Sequence, residues 1–423
     1  MKKGYKQTEV GEVPEEWEIS VVNKCAEILD SKRIPLNQVE RNNKKGNIPY
    51  YGANGILDYV DDFIFNEPLV LMAEDGGHFK DYFKKPICQK IDGKSWVNNH
   101  AHVLKAIKNK IITNWLFYWF VHRDILPFLN GGTRAKLNQS DLKKLPVALP
   151  PLPEQKKIAQ ILTSIDETIE STRKVIDQTK KVKQGLLQEL LTKGIGHTKF
   201  KKVKLGFEEV EIPEEWRLIR IKEVVNKQPN AITAGPFGTI FKAKDFREKG
   251  IPIIQIRHIT EDGFNWGKKI TFMDEDVYQK LHVPFTVFPN DLLITKMGDP
   301  PGLSCLYPEN YSKAMVTPDV IKASLDHNKI NPYFAMYSYN CPSTNKRLLK
   351  LTKGGTRPRI TLNEFYALKL PFPSLEEQNH IADILRSFDI KIELLNSELA
   401  QLQTLKKGLM QDLLTGAVRV KLQ

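Results

Sequence analysis

Apolar residues recur every three or four positions from Glu154 to Thr192 with no proline between them, the period of an amphipathic helix. The rhythm returns 223 residues further on, where one heptad line runs through Ile381, Phe388, Leu395, Leu402 and Leu409 and a second through Leu385, Ile392, Leu399, Lys406 and Leu413. Two such lines predict a coiled-coil seam. The first copy carries it more weakly, with Ile158, Ile165, Thr172, Thr179 and Leu186 on one line and Leu162, Ile169, Ile176, Lys183 and Leu190 on the other. Lys183 and Lys406 hold equivalent seam positions. Pro153 suits a first helical position, Ser374 and Glu377 have capping-box spacing, and Gly194 and Gly416 stand where a left-handed cap would stop each helix. Helices of about 39 residues would be rods of about 58 Å. A seam needs a partner and a globular unit separates the two helices in sequence, so the pattern predicts antiparallel pairing within the chain; the alternative is that each helix staples a large core. Gly185 and Gly408 lie inside the helices, each at a cost of about 1 kcal/mol against alanine. Their matched placement fits either close packing of the two helices or docking of a partner.

The helices belong to a repeat that spans the chain. Val13-Pro14-Glu15-Glu16-Trp17 returns as Ile212-Pro213-Glu214-Glu215-Trp216, an offset of 199 residues. Gly131-Gly132-Thr133-Arg134 returns as Gly354-Gly355-Thr356-Arg357 at an offset of 223, which then holds without a gap through Glu154-Gln155 and Glu377-Gln378 to Leu191-Thr192 and Leu414-Thr415. The second copy therefore carries 24 extra residues between these markers. The stretches between them, about 18 to 130 and 217 to 353, share little beyond class. The fold class expected is α+β: two mixed α/β domains in pseudo-twofold tandem repeat, at 1–150 and 197–372, separated by long helices at 151–196 and, with a C-terminal tail, at 373–423.

Composition narrows the partners. The 423 residues carry 63 Lys and Arg against 50 Asp and Glu, a net charge of +13, which favours a polyanion, with nucleic acid first and an anionic membrane surface second. The polar N-terminus offers no secretory signal and the most apolar run, 111–121, is too short to span a bilayer, so a cytoplasmic location is expected. Cys25, Cys88, Cys305 and Cys341 lie far apart, against both a zinc site and a disulfide scaffold.

Two similar but non-identical basic units on rigid helices would suit two different short DNA half-sites with unread base pairs between them. In the first unit, glycine-rich turns at 48–55 and 74–78 nominate Lys44, Lys45, Tyr50, Tyr51, Asn54, His78 and Lys80. In the second, the Gly235-Pro236-Phe237-Gly238 segment leads to Thr239, Lys242 and Lys244, Ile251 to His258 reads as a strand ending in Gln255, Arg257 and His258, and Lys296 follows an apolar run. Gln and Arg pair bidentately with adenine and guanine, whereas lysines mainly neutralise phosphate; the plainer reading of each is a solvated surface residue. Each Gly-Gly-Thr-Arg turn adds a second cation two positions on, Arg134 with Lys136 and Arg357 with Arg359. This arrangement fits a phosphate clamp, a turn that seats the domain on its helix, or both.

These features together resemble the specificity subunits of type I restriction-modification enzymes over nearly the full chain. The signature runs from Gly131 through Leu145-Pro146 and Leu149-Pro150-Pro151-Leu152-Pro153-Glu154-Gln155 to Ile158-Ala159, and again from Gly354 through Leu370-Pro371 and Leu375 to Gln378 and Ile381-Ala382. The second copy has Pro373-Ser374-Leu375-Glu376 where the first has Pro150-Pro151-Leu152-Pro153. The resemblance implies a non-catalytic reader of an asymmetric bipartite double-stranded DNA target, with two target-recognition domains and the paired helices as its ruler. It also implies two methyltransferase subunits held against those helices, restriction/translocase subunits joined to that core, and S-adenosylmethionine, ATP and magnesium on these partners and no cofactor in this chain. The alternatives are the specificity subunit of a bipartite type II system that cuts on both sides of its site, and a coiled-coil scaffold without DNA specificity.

Nothing in the chain reads as catalytic. Asn331-Pro332-Tyr333-Phe334 lacks the second proline of an adenine-methyltransferase loop and fits a helix N-cap instead. Asp299-Pro300-Pro301-Gly302 has glycine where a stacking ring belongs, and no Walker loop occurs. His100 and His102 have no carboxylate at a convincing metal-ligand spacing, so no metal site is expected.

Overall fold

A computed structural model describes residues 3–129, 135–206, 208–236, 246–267, 269–298, 301–352 and 358–422. The helices that organise it are α1 (Thr113–Phe120), α2 (Leu152–Lys193), α3 (Pro332–Asn340), α4 (Pro342–Leu351) and α5 (Leu375–Leu414). The chain forms two compact units, one of Met1–Lys174 with Ser397–Gln423 and one of Val175–Asn396. Each unit thus holds one part of α2 and one part of α5.

Within each unit the two long helices pack antiparallel. In the first, Lys406 of α5 pairs with Asp166 of α2 at 2.6 Å; in the second, Lys183 of α2 pairs with Asp389 of α5. The two seam lysines therefore each meet an aspartate of the opposite helix, and each aspartate also accepts a tyrosine hydroxyl, Tyr118 of α1 or Tyr337 of α3. Ile158, Leu162, Ile169, Ile176, Leu190, Ile381, Leu385, Ile392 and Leu413 are buried, and Ile165, Leu186, Phe388, Leu395, Leu399, Leu402 and Leu409 half-buried. The seam lies on the face that the pattern indicated.

The repeated markers lock the domains to the helices. Trp17 donates its indole N–H to Glu154 at 3.1 Å, and Trp216 does the same to Glu377 at 2.9 Å. The neighbouring glutamines cap the next layer: Gln155 accepts from the backbone of Ile112 ahead of α1, and Gln378 from Asn331 ahead of α3. The far end of the opposite helix closes on the same tryptophan. Gly194 and Gly416 adopt φ of +66° and +70°, and a Cβ on either would collide with Trp216 or with Pro14 of the Trp17 marker. Glycine is thus required twice over, for its conformation and for its lack of a side chain. The expected capping box at Ser374 is only half formed. Ser374 accepts from the Glu377 backbone N–H, but the Glu377 carboxylate is committed to Trp216, His197 and the backbone of Ile195.

The stretches that look unrelated in sequence share their topology. The first unit has an antiparallel sheet ordered Ala26–Ile28, Ala101–Ala106, Leu69–Ala73, Cys88–Ile91; the second has Ile232–Ala234, Val320–Ala323, Leu292–Thr295, Ser304–Leu306 in the same order. Each unit adds a second sheet containing one parallel pair, Lys45–Gly52 with Lys94–Val97 in the first and Ile251–Ile254 with Ala314–Val316 in the second. Asn331 caps α3 as expected, its side chain accepting from the N–H groups of Tyr333 and Phe334. The four cysteines are buried and free, and no described helix is long and apolar enough to cross a membrane.

Gly185 and Gly408 are exposed, and a Cβ added at either would meet nothing within 4 Å, so packing of α2 on α5 does not explain them. Gly185→Ala and Gly408→Ala are each expected to stabilise the chain by about 0.5–1 kcal/mol; urea denaturation checks this, and a loss of stability would show a contact at these positions.

Candidate nucleic-acid interface

In the first unit the glycine-rich turns converge. Asn54, in the hairpin turn between Lys45–Gly52 and Gly55–Val60, donates to the carbonyl of Gly76 at 2.9 Å. Asp75 accepts from His100 at 2.5 Å and forms an isolated β-bridge with Lys136, whose ammonium lies 3.2 Å from Glu74. The second unit repeats the bridge between Met297 and Arg359, with Ile360 donating to the Lys296 carbonyl as Leu137 does to that of Glu74. There the guanidinium of Arg359 pairs with Asp319 at 2.6 Å. Lys136 and Arg359 therefore occupy the same place in the two repeats, at the ends of corresponding strands.

Beneath the first cluster lies a charged network that no motif announces. Asp30, Glu74 and His102 come together from three elements, with the Arg33 guanidinium 2.8 Å from Glu74 and 3.6 Å from Asp30. His102 Nδ1 meets Asp30 at 2.6 Å and Nε2 meets the Leu137 carbonyl at 2.7 Å. Arg33 supplies the positive charge that a metal ion would otherwise bring to these carboxylates, and both imidazole nitrogens are already engaged. Burial alone would raise the Asp30 pKa, but hydrogen bonds from His102 and the Val103 N–H, with the charges of His102 and Arg33, outweigh it and hold the carboxyl below the ordinary aspartate range. This network ties the strand Ala101–Ala106 to the segment that follows the Gly-Gly-Thr-Arg turn.

The remaining nominated residues divide by exposure. Tyr50, His258 and Lys296 are buried, which corrects the expectation that their side chains face a ligand. Tyr50 points into the core, its hydroxyl accepting from Leu36 N–H. His258 accepts from the Gln255 N–H within the turn Ile256–His258, where burial first and Arg257 second lower its pKa to about 4. The strand expected to reach His258 accordingly stops at Ile254. Lys296 is lowered by burial and by Arg359, against the opposing pull of Asp319. Lys44 pairs with Asp61 and Lys45 with Asp58. Tyr51, His78 and Gln255 are half-buried, while Lys80 and Arg257 are exposed. Arg134, Thr239, Lys242, Lys244 and Arg357 lie outside the described residues, as do the Gly-Gly-Thr-Arg turns and Asp299-Pro300.

The family model described as the type I restriction modification DNA specificity domain matches residues 14–181 and 213–404, one stretch in each copy of the repeat. The chain is 28% identical over 446 aligned residues to the type I restriction enzyme MjaVIII specificity subunit of Methanocaldococcus jannaschii, covering 99% of this chain and 97% of that one. A 150-residue stretch is 37% identical to a putative type I specificity subunit, S.HindORF215P, of Haemophilus influenzae, covering 36% of this chain and 37% of that one. In fold, the chain is similar to the S subunit of a type I restriction-modification system from M. genitalium, with a TM-score of 0.58 at 14% identity over 94% of this chain and 96% of that one.

Asp30→Asn is expected to cost about 1–3 kcal/mol, because the amide cannot replace the carboxylate facing His102 and Arg33. A depressed carboxylate pKa adds stability that is present above the unfolded-state value and lost as pH falls through the folded-state one. The gap between wild type and variant should therefore narrow below about pH 4; urea melts across pH check this, and a gap that stays constant would remove the charge from the account.

Proposed function

The chain belongs to the type I restriction-modification DNA specificity family, and on that basis we propose that it is the non-catalytic subunit that selects the DNA sequence, reading an asymmetric bipartite target with one recognition domain per half-site. The observation that carries this reading is the duplication: two domains of the same strand order, unlike in sequence, each seated by its own Trp–Glu bond on the paired helices. Common architecture with divergent surfaces is what two different half-sites would demand. The domains proposed as readers are 1–150 and 197–372, with the long helices at 151–196 and 373–423 between and after them. Lys136 and Arg359 at the strand ends, together with Lys80, Arg257, Asn54 and the basic turns, are the proposed DNA contacts. Phosphate contacts would fix register, and base-edge contacts would carry the sequence information.

The same reading gives the chain two methyltransferase subunits as partners and, through them, endonuclease subunits, with S-adenosylmethionine, ATP and magnesium bound by those partners. Gly185 and Gly408, matched in the two helices and open to solvent, leave room for a partner backbone at equivalent points. Gly185→Leu with Gly408→Leu is expected to reduce co-purification of the methyltransferase while leaving the isolated chain at least as stable to heat. Undiminished co-purification would place the docking surface elsewhere.

The decisive experiment exchanges residues 18–130 for the corresponding stretch of another family member and sequences the methylated sites in a host carrying the partner subunits. One half-site should change and the other persist. A change in both halves would end the modular reading, and methylation without sequence preference would favour a scaffold that holds its partners without choosing DNA.

A further inference from the structure

The two repeats differ at one place where the rest of the duplication predicts sameness. In the second unit, α4 lies between the long helix and the N-terminal hairpin: Lys346 and Lys350 reach Glu208 at 3.1 and 2.8 Å, Arg347 donates to the Lys369 carbonyl at 3.0 Å, and Leu348 is buried. Only about 70 Å³ of space is left there. Among the described residues the first unit has in place of α4 only the short 3-10 turn Leu126–Phe128, and the equivalent place is an open cleft of about 900 Å³. The correspondence is residue for residue. Gln188, Leu191, Thr192 and Glu208 line the small cavity, and Gln411, Leu414, Thr415 and Glu9, their partners in the repeat, line the large one.

The cleft is built rather than merely empty. Trp119 stands where the second unit has Ser338, and its indole N–H takes the Pro146 carbonyl at 2.9 Å, the repeat equivalent of the carbonyl that Arg347 occupies. Arg123 lies across that indole, 3.4 Å above the ring centroid, and donates to the Trp119 carbonyl at 3.0 Å. No carboxylate among the described residues pairs with Arg123, Lys84 or Lys407, all of which line the cleft. Half-buried in the cleft wall, Arg123 has its pKa lowered by desolvation to about 10, with no counter-charge opposing the shift. Phe83, Phe128 and Met410 add apolar wall between these cations.

We propose that this cleft receives a short acidic amphipathic helix of a partner protein, seated as α4 is seated in the second unit but with the charge relation inverted. In that unit the lysines of α4 answer a single carboxylate, Glu208; here the cations Arg123, Lys84 and Lys407 stand without one, so the occupant presents carboxylates to Arg123 and Lys407 and an apolar stripe to the rings. The length of α4, 10 residues, sets its size. A double helix of DNA does not fit the role, because the cleft is walled by aromatic and aliphatic side chains that a phosphate backbone would leave unmatched. The second repeat fills the equivalent place with its own helix, so partners that grip both repeats alike do not account for the cleft, and the inference does not depend on the DNA-reading role.

Titration calorimetry of the full chain with a leucine-faced helical peptide of about three turns, its polar face made of glutamate, is expected to give one site per chain. The same peptide with lysine on that face should not bind. Arg123→Glu should weaken the glutamate peptide by roughly tenfold or more and Arg123→Lys by much less, with thermal unfolding as the check on folding; Lys407→Glu gives a second, independent readout if Arg123→Glu unfolds. Two sites per chain, preference for the lysine peptide, binding indifferent to both charge reversals, or displacement of the glutamate peptide by a short DNA duplex would each overturn the proposal.

Discussion

A buried carboxylate at the start of a long helix is the constraint on which the first unit turns. Glu154 is 1% exposed, and a charge so placed survives only if donors surround it. They come from both ends of the chain: Trp17 through its indole, and Arg419 through two bonds of 2.8 and 2.9 Å. Glu377 repeats the arrangement in the second unit with Trp216 and His197. Satisfying this one group fixes where the domain's first strands sit, where the helix begins and where the opposite helix must end. The lysine–aspartate pairs along the seam then select one alignment, since any slip of register would leave an ammonium facing hydrocarbon.

The helices were the most legible part of the sequence because their signal is local and periodic. A heptad line survives substitution of Thr172 and Thr179 for aliphatic residues, and both are buried in the place the pattern assigned them. The markers were legible as repeats but not as chemistry. Glu154 and Trp17 are 137 residues apart, and nothing in either motif names the other as its partner. The shared strand order of the two recognition domains was hidden for a different reason: strand pairing constrains burial and alternation, which many sequences satisfy, so topology persisted while identity did not.

At the candidate interface the sequence located segments better than side chains. The turns around Asn54 and Gly76 meet, which the sequence did not indicate, and Lys136 and Arg359 occupy matching positions. Residue type alone, however, could not separate Tyr50 and His258, which point into cores, from Lys80 and Arg257, which do not. Asp30 and Arg33 belong to no motif at all, because a network assembled from the 30–33 turn and the residues around 74, 102 and 137 leaves no spacing to recognise. The asymmetry between the open cleft and α4 was half visible. The count of extra residues in the second copy was plain, and what part of them fills was not.

The seating of residues 397–423 in the first lobe bears on how the molecule is made. The second lobe is one unbroken stretch, Val175–Asn396, whereas the first begins with the opening residues and is completed by the last ones. Arg419 reaches Glu154, and the hydroxyl of Tyr5 meets the carbonyl of Gly416 at 2.7 Å. Where earlier segments ordinarily fold before later ones, this lobe cannot close until residues 397–423 are in place, so its apolar seat stays unfilled after the second lobe has all of its residues. Removing residues 397–423 would therefore open the first lobe and leave every residue of the second in place.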